Sequence, residues 1–189
     1  MKKHRLFLGL AFVFGSLGLS SCYDEPEFDL APTLTFRDIE QRTLRNPQNV
    51  IYDSLILVVR FQDGDGDLGL SETIFPKDIQ PPFSSRDPYF NNIFCNIYKK
   101  VNGQYERVLY PGTTPLVFHS RFPRVSTIER QEPLEGDIRY SLNIFDNPRD
   151  SFYPLRAGDT IRFDVKILDR SHNESPTVTT SEVILFSKQ

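Results

Sequence analysis

Three aspartates on alternate positions, Asp63, Asp65 and Asp67, separated by Gly64 and Gly66, are the residues of this chain best suited to chemistry. In an extended strand alternate side chains share one face, so three carboxylates there crowd and repel one another. Glycine accepts φ > 0 and lets the backbone curl, which turns the row into a cup. A cup of carboxylates and freed carbonyls suits a hard cation, and calcium takes about 6–8 such oxygens. The same residues also fit two other readings: Asp-Gly turns whose acids are solvated, or direct contact with an organic ligand.

Other chemistry finds less support. Counted as an EF-hand loop from Asp63, the sixth position is Leu68 rather than Gly and the twelfth is Ile74 rather than Glu, so that reading fails. His119 and His172 have no Gly-x-Ser-x-Gly elbow or other nucleophile signal beside them, and no His/Cys pair stands at zinc spacing. Glu129, Glu132 and Glu135 lie in a Pro-containing polar stretch that reads as solvated loop, not as paired acids for glycoside cleavage. Cys95 falls in an apolar run, where a free thiol behaves as a small hydrophobe. Phe83, Tyr89 and Phe90 form either a loop-borne binding platform or a set of pins that pack down.

The elements that must position these groups are strands. From Pro32 onward the apolar period is two and no amphipathic helix stands out. Thr33 to Arg37 is expected as a short first strand. A second runs over Ile51–Gln62 with Leu55, Leu57, Val59 and Phe61 on one face, leading straight into the acidic loop. Residues 70–92 form a Pro- and Ser-bearing excursion longer than a compact domain usually spends on a connection. Ile93 to Val101 and Gln104 to Leu109 flank Asn102-Gly103, a strong hairpin signal. Leu116 to Phe118 is a candidate edge strand, Ile138 to Ile144 and Thr160 to Leu168 alternate cleanly, and Val178 to Phe186 closes the chain. About seven strands with turn signals between them predict an all-β, antiparallel two-sheet sandwich over residues 32–189.

Ahead of the strands, Met1-Lys-Lys-His-Arg5 is positively charged and Leu6 to Leu19 is apolar apart from Gly and Ser. Fourteen helical residues cover about 21 Å, short of a hydrocarbon core of ~30 Å, which favours a signal peptide over residues 1–21. Without Lys2, Lys3 and Arg5, 19 basic residues face 25 acidic ones, a balance that gives no support to nucleic-acid binding. Leu19-Ser20-Ser21-Cys22 resembles the bacterial lipobox. That resemblance implies cleavage before Cys22 and acylation of its thiol and amine. Several acyl chains anchor stably, each buried CH₂ adding ~0.8 kcal/mol. With Cys22 acylated, Cys95 has no partner and no disulfide framework forms. Residues 22–31 then form an acidic tether, and Tyr23-Asp-Glu-Pro-Glu-Phe-Asp29 resembles the stretch behind the lipidated cysteine of surface lipoproteins in Bacteroidota. The resemblance implies an outer-membrane, surface-exposed location.

The strand pattern is similar to that of immunoglobulin-like and fibronectin-III-like sandwiches, without the antibody Cys–Trp–Cys signature. In that topology Ile51–Gln62 and Thr160–Leu168 end at one pole. The resemblance therefore implies that Asp169 and Asn173 join Asp63, Asp65 and Asp67 around a calcium ion. The expected function is a lipid-anchored envelope binding or accessory module whose partner is another envelope protein or a glycan. A purely structural lipoprotein and, behind it, an envelope hydrolase are the alternatives. The N-terminal peptide of the mature protein is expected to begin at Cys22 and to carry acyl mass. Cys22→Ser is expected to release the protein from membranes, and an unmodified Cys22 by mass spectrometry would overturn the anchor.

Overall fold

The computed structural model describes residues 26–73 and 75–188. The expected signal segment, Cys22 and the first residues of the tether lie outside this range. The strands are β1 (Thr33–Arg45), β2 (Ile51–Asp63), β3 (Ile93–Val101), β4 (Gln104–Arg107), β5 (Leu134–Phe145), β6 (Thr160–Ile167), β7 (Val178–Thr179) and β8 (Val183–Ile184). One sheet runs β1-β2-β5 and the other β4-β3-β6-β7, with β8 also on β6. Every strand pairing is antiparallel. Among the described residues there is no α-helix, only a 3-10 turn at Pro76–Ile79. The expected all-β two-sheet sandwich is the fold, with eight strands rather than about seven.

The core follows from alternation. Leu55, Leu57, Val59 and Phe61 of β2 and Ile138, Leu142 and Ile144 of β5 point inward. They meet Ile93, Cys95 and Ile97 of β3 and Ile161, Phe163, Val165 and Ile167 of β6 in one buried cluster. Each such Leu, Ile or Phe contributes ~1.5–3 kcal/mol on burial. Asn102 (φ 50°) and Gly103 (φ 82°) turn the β3–β4 hairpin as their dipeptide predicts.

Three expectations need correcting. The first strand does not stop at Arg37; it continues to Arg45 in register with β2. A register shift between Phe36 and Asp38 changes which residues face inward, so Ile39, Gln41 and Thr43 succeed Leu34 and Phe36. A polar inward row across a bulge hides a strand from any period-two reading. Val178 to Phe186 is two short strands instead of one, because Thr180 intervenes. Its hydroxyl accepts the Phe163 amide at 3.0 Å where a strand would offer a carbonyl. Glu135 sits in β5, exposed and ion-paired with Arg60 at 3.0 Å, and is not part of a loop. The segment at Leu116–Phe118 lies along β3 through single bridges, Phe118 donating its amide to the Cys95 carbonyl at 2.8 Å.

The inward row of β2 opens on a buried carboxylate, Asp53. It accepts hydrogen bonds from Gln41 Nε2 at 2.7 Å, Thr43 Oγ1 at 2.6 Å and the Phe186 amide at 2.7 Å. These bonds join β1, β2 and the C-terminal segment. Asp53→Ala removes the shared acceptor of all three bonds and is expected to lower stability by about 3 kcal/mol, read as a fall in urea midpoint. A change below ~0.5 kcal/mol would show that the donors find other partners.

Candidate metal centre

The inward row of β2 also ends on a carboxylate. By alternation from Phe61, Asp63 points into the sandwich at the far end of the strand, and it is fully buried. Neither of its carboxylate oxygens has a hydrogen-bond partner. The chain then curls. Gly64 donates its amide to the Asp29 carbonyl at 2.9 Å, and a Cβ there would collide with the Phe28 carbonyl. Gly66 adopts φ 67° and passes close to the Glu132 carbonyl. This path returns Asp65 and Asp67 toward Asp63, and one oxygen of Asp65 is likewise buried and unpartnered.

The loop after β6 meets them. Leu68 bridges antiparallel to Asp169, and the Arg170 amide donates to Asp67 Oδ1 and to the Asp67 carbonyl, both at 3.3 Å. The Ser171 hydroxyl donates to Asp67 Oδ2 at 2.7 Å. Carboxylate oxygens of Asp63, Asp67 and Asp169 lie within 4.8 Å of one another. Oxygens on opposite sides of one calcium ion, each bonded at 2.3–2.6 Å, stand about 5 Å apart, so the spacing fits.

The five residues expected around the ion therefore come together, with distinct positions. Asp63, Asp67 and Asp169 form the compact group, and Asp65 lines it. Asn173 grips Asp169 instead, donating its amide to Oδ1 at 2.7 Å and its side-chain nitrogen to Oδ2 at 2.8 Å. That contact aims the carboxylate, as partners of metal-ligating groups do.

The electrostatics follow from burial. Burial, reinforced by Asp65, Asp67 and Asp169, pushes the Asp63 pKa up to about 7; the Asp67 amide nearby opposes this without forming a hydrogen bond of good geometry. Burial, then Asp67, raises Asp65. Burial also raises Asp169, against the hydrogen bonds from Asn173. Arg170 stands beside Asp65 and Asp67, but its guanidinium is drawn off to the Leu68 and Gly69 carbonyls at 3.3 and 3.2 Å. The guanidinium of Arg170 thus bonds main-chain carbonyls and not the carboxylates beside it. The donor set is all oxygen, with no His or Cys, which is the chemistry of calcium, magnesium or manganese and not of zinc or copper.

Sequence reading gave Arg170 and Ser171 no role, and the excursion hides two more anchors. Asp78 is buried with Arg124, which donates from Nε at 2.6 Å and from a terminal nitrogen at 2.7 Å. Arg124 also lies 3.7 Å over the Phe75 ring. Arg121 donates to the carbonyls of Phe83, Phe90 and Asp78. Tyr89 stacks on His172 at 3.7 Å and Phe83 meets the same ring at 5.6 Å. The excursion's aromatics are therefore pins, not a free platform. His119 contacts Asn96 at 3.4 Å and the Phe94 ring at 4.9 Å.

Fold and site together define a β-sandwich with a buried acidic cup at one pole. No family model matches the chain, and neither the curated proteins nor the solved structures yield a significant match.

A pH dependence follows. A carboxyl whose folded pKa exceeds its unfolded value of 3.8 keeps its proton while the unfolded chain loses it, so the folded state binds more protons between pH 4 and 7. Stability of the metal-free protein from the cup is expected to fall over that window, by up to roughly 4 kcal/mol from Asp63. His119, lowered by burial and by Arg107 and Lys166, works in the opposite sense around its ordinary pKa. Comparing wild type with Asp63→Asn by thermal melts isolates the cup: the variant is expected to be the more stable near neutral pH, and equal slopes against pH would count against a buried charge.

Proposed function

We propose that this protein is a lipid-anchored envelope module whose acidic pole binds calcium as a structural ion. Calcium staples the loop after β2 to the loop after β6 and does no covalent chemistry. The observation that carries the reading is the Asp63 carboxylate, buried with both oxygens unpartnered and facing Asp67 and Asp169. A buried ionised carboxylate without a partner is strongly disfavoured, and a divalent cation supplies what the chain does not. Anchoring through Cys22 places the site outside the cytoplasm, where calcium sites binding at ~10⁻⁴–10⁻³ M are useful.

The module recognises another envelope protein or a glycan through its polar loops. At the pole opposite the cup, the β1–β2 turn and the segment after β5 enclose a cleft of about 630 Å³ lined by Arg45, Gln48, Asn49, Phe145, Asn147 and Arg149. Phe145 presents a half-exposed ring there, beside Tyr52 at 5.4 Å. An aromatic face among amide and guanidinium donors supports a polar, ring-bearing partner.

Calcium titration by calorimetry, paired with thermal melts, tests the reading. At ~10 mM calcium over a site of ~0.1–1 mM the expected stabilisation is about 1.4–2.7 kcal/mol, or roughly 3–10 °C in Tm. Asp63→Asn is expected to abolish this response while raising the metal-free Tm near neutral pH. Absence of any calcium response in the wild-type protein would remove the ion from the proposal.

A further inference from the structure

The geometry points to the acidic pole as the face of this domain that lies on the phosphate-bearing head-group layer of its own membrane, with exposed aliphatic side chains entering that layer around the ion. The inference rests on the Cys22 anchor and deepens it by assigning an orientation.

Chain reach is the first support. Only five residues separate Cys22 from Phe28, and the six Cα-to-Cα steps between the two span at most about 20 Å when extended. Their far end is not loose, because Asp29 is bonded main chain to main chain with Gly64 of the acidic loop. The lipid is thus tied to the end of the sandwich that carries the cup. β2 runs from Ile51 to Asp63, so the opposite pole stands about 40 Å away along the strand.

The surface chemistry is the second support. Three exposed aliphatic residues gather at this pole: Leu30 (65% exposed), Ile128 (61%) and Val125 (42%). Leu30 follows the residue bonded to Gly64, and the Val125 amide donates to the Leu68 carbonyl. Ile128 shares an open cleft with Asp65, Asp67, Arg130 and Arg170. Apolar tips flanked by Arg130 and Arg170 suit a layer that offers phosphate outside and acyl chains beneath. Metal-free, the pole carries the cup's four carboxylates and Glu129 against Arg124, Arg130 and Arg170, a negative excess that an anionic surface repels. A divalent ion removes most of that excess and leaves coordination positions for phosphate oxygens, since calcium takes about 6–8 ligands.

The test uses the acylated full chain in vesicles of phosphatidylethanolamine and phosphatidylglycerol with 2 mM calcium (~10⁻³ M, the range of such sites). Ile128→Cys and, at the opposite pole, Gln48→Cys each carry a bimane label. Cys95 does not compete, being buried with its thiol pKa pushed up by burial. Brominated lipid is expected to quench the label at position 128 at least twofold more than that at position 48, and EDTA is expected to cut the difference. Equal quenching on an acylated chain, or stronger quenching at position 48, overturns the orientation and leaves the anchor standing. A difference that EDTA does not change overturns the ion's part in it. An N-terminal peptide without acyl mass overturns the anchor itself and this orientation with it.

Discussion

A charged side chain placed inside an apolar layer must find compensation, and this sandwich sets the problem twice on one strand. The inward row of β2 starts at Asp53 and finishes at Asp63, with four apolar side chains between them, and both acids are fully buried. Asp53 is satisfied by three donors drawn from β1 and the C-terminal segment. Asp63 has no donor on either oxygen and has other carboxylates for neighbours. The first end closes the fold with its own hydrogen bonds. The second end is complete only with a charge from outside the chain or a proton, because an ionised carboxylate without a partner pays the full cost of desolvation.

The surrounding loops show that the molecule does not lack cations for this purpose. Arg124 is spent on Asp78 in a buried two-point pair, and Arg121 is spent on three main-chain carbonyls of the excursion. Arg170 reaches the cup with its main-chain amide while its guanidinium turns to carbonyls at 3.2–3.3 Å. A guanidinium is flat, broad and singly charged; it suits a bidentate partner or a row of carbonyls better than the centre of a tight group of carboxylates. The arrangement keeps these guanidinium groups away from the middle of the cup.

Much of this was legible beforehand because it rests on local rules. Alternation located β2, β5 and β6, Asn102-Gly103 located the hairpin, and the Asp-Gly run located the cup. Convergence with Asp169 and Asn173 was what the resemblance to an immunoglobulin-like topology implied. What escaped notice depends on contacts between distant residues. The second half of β1 carries Gln41 and Thr43 inward because Asp53 is waiting across the strand, and nothing near them in sequence says so. The break between β7 and β8 comes from one hydroxyl substituting for a carbonyl. The pairing of Asp78 with Arg124, and the stacking of Tyr89 on His172, turned an excursion that reads as a free loop into a clamped one. Asn173 had the right chemistry for a ligand, yet its nitrogens face Asp169, and only coordinates distinguish holding a ligand from being one.

The acidic loop also answers why glycine occupies position 64, where curling alone would not demand it. Its backbone passes so close to Phe28 and Asp29 that no side chain fits, and its amide is bonded to the Asp29 carbonyl. Phe28 and Asp29 and the loop that gathers the carboxylates are therefore one packed unit. Whatever orders the cup, an ion or a proton on Asp63, also steadies the point from which the chain departs toward Cys22. Gly64, which holds Asp29, directly follows Asp63, so the buried carboxylate and the start of the described chain are mechanically linked.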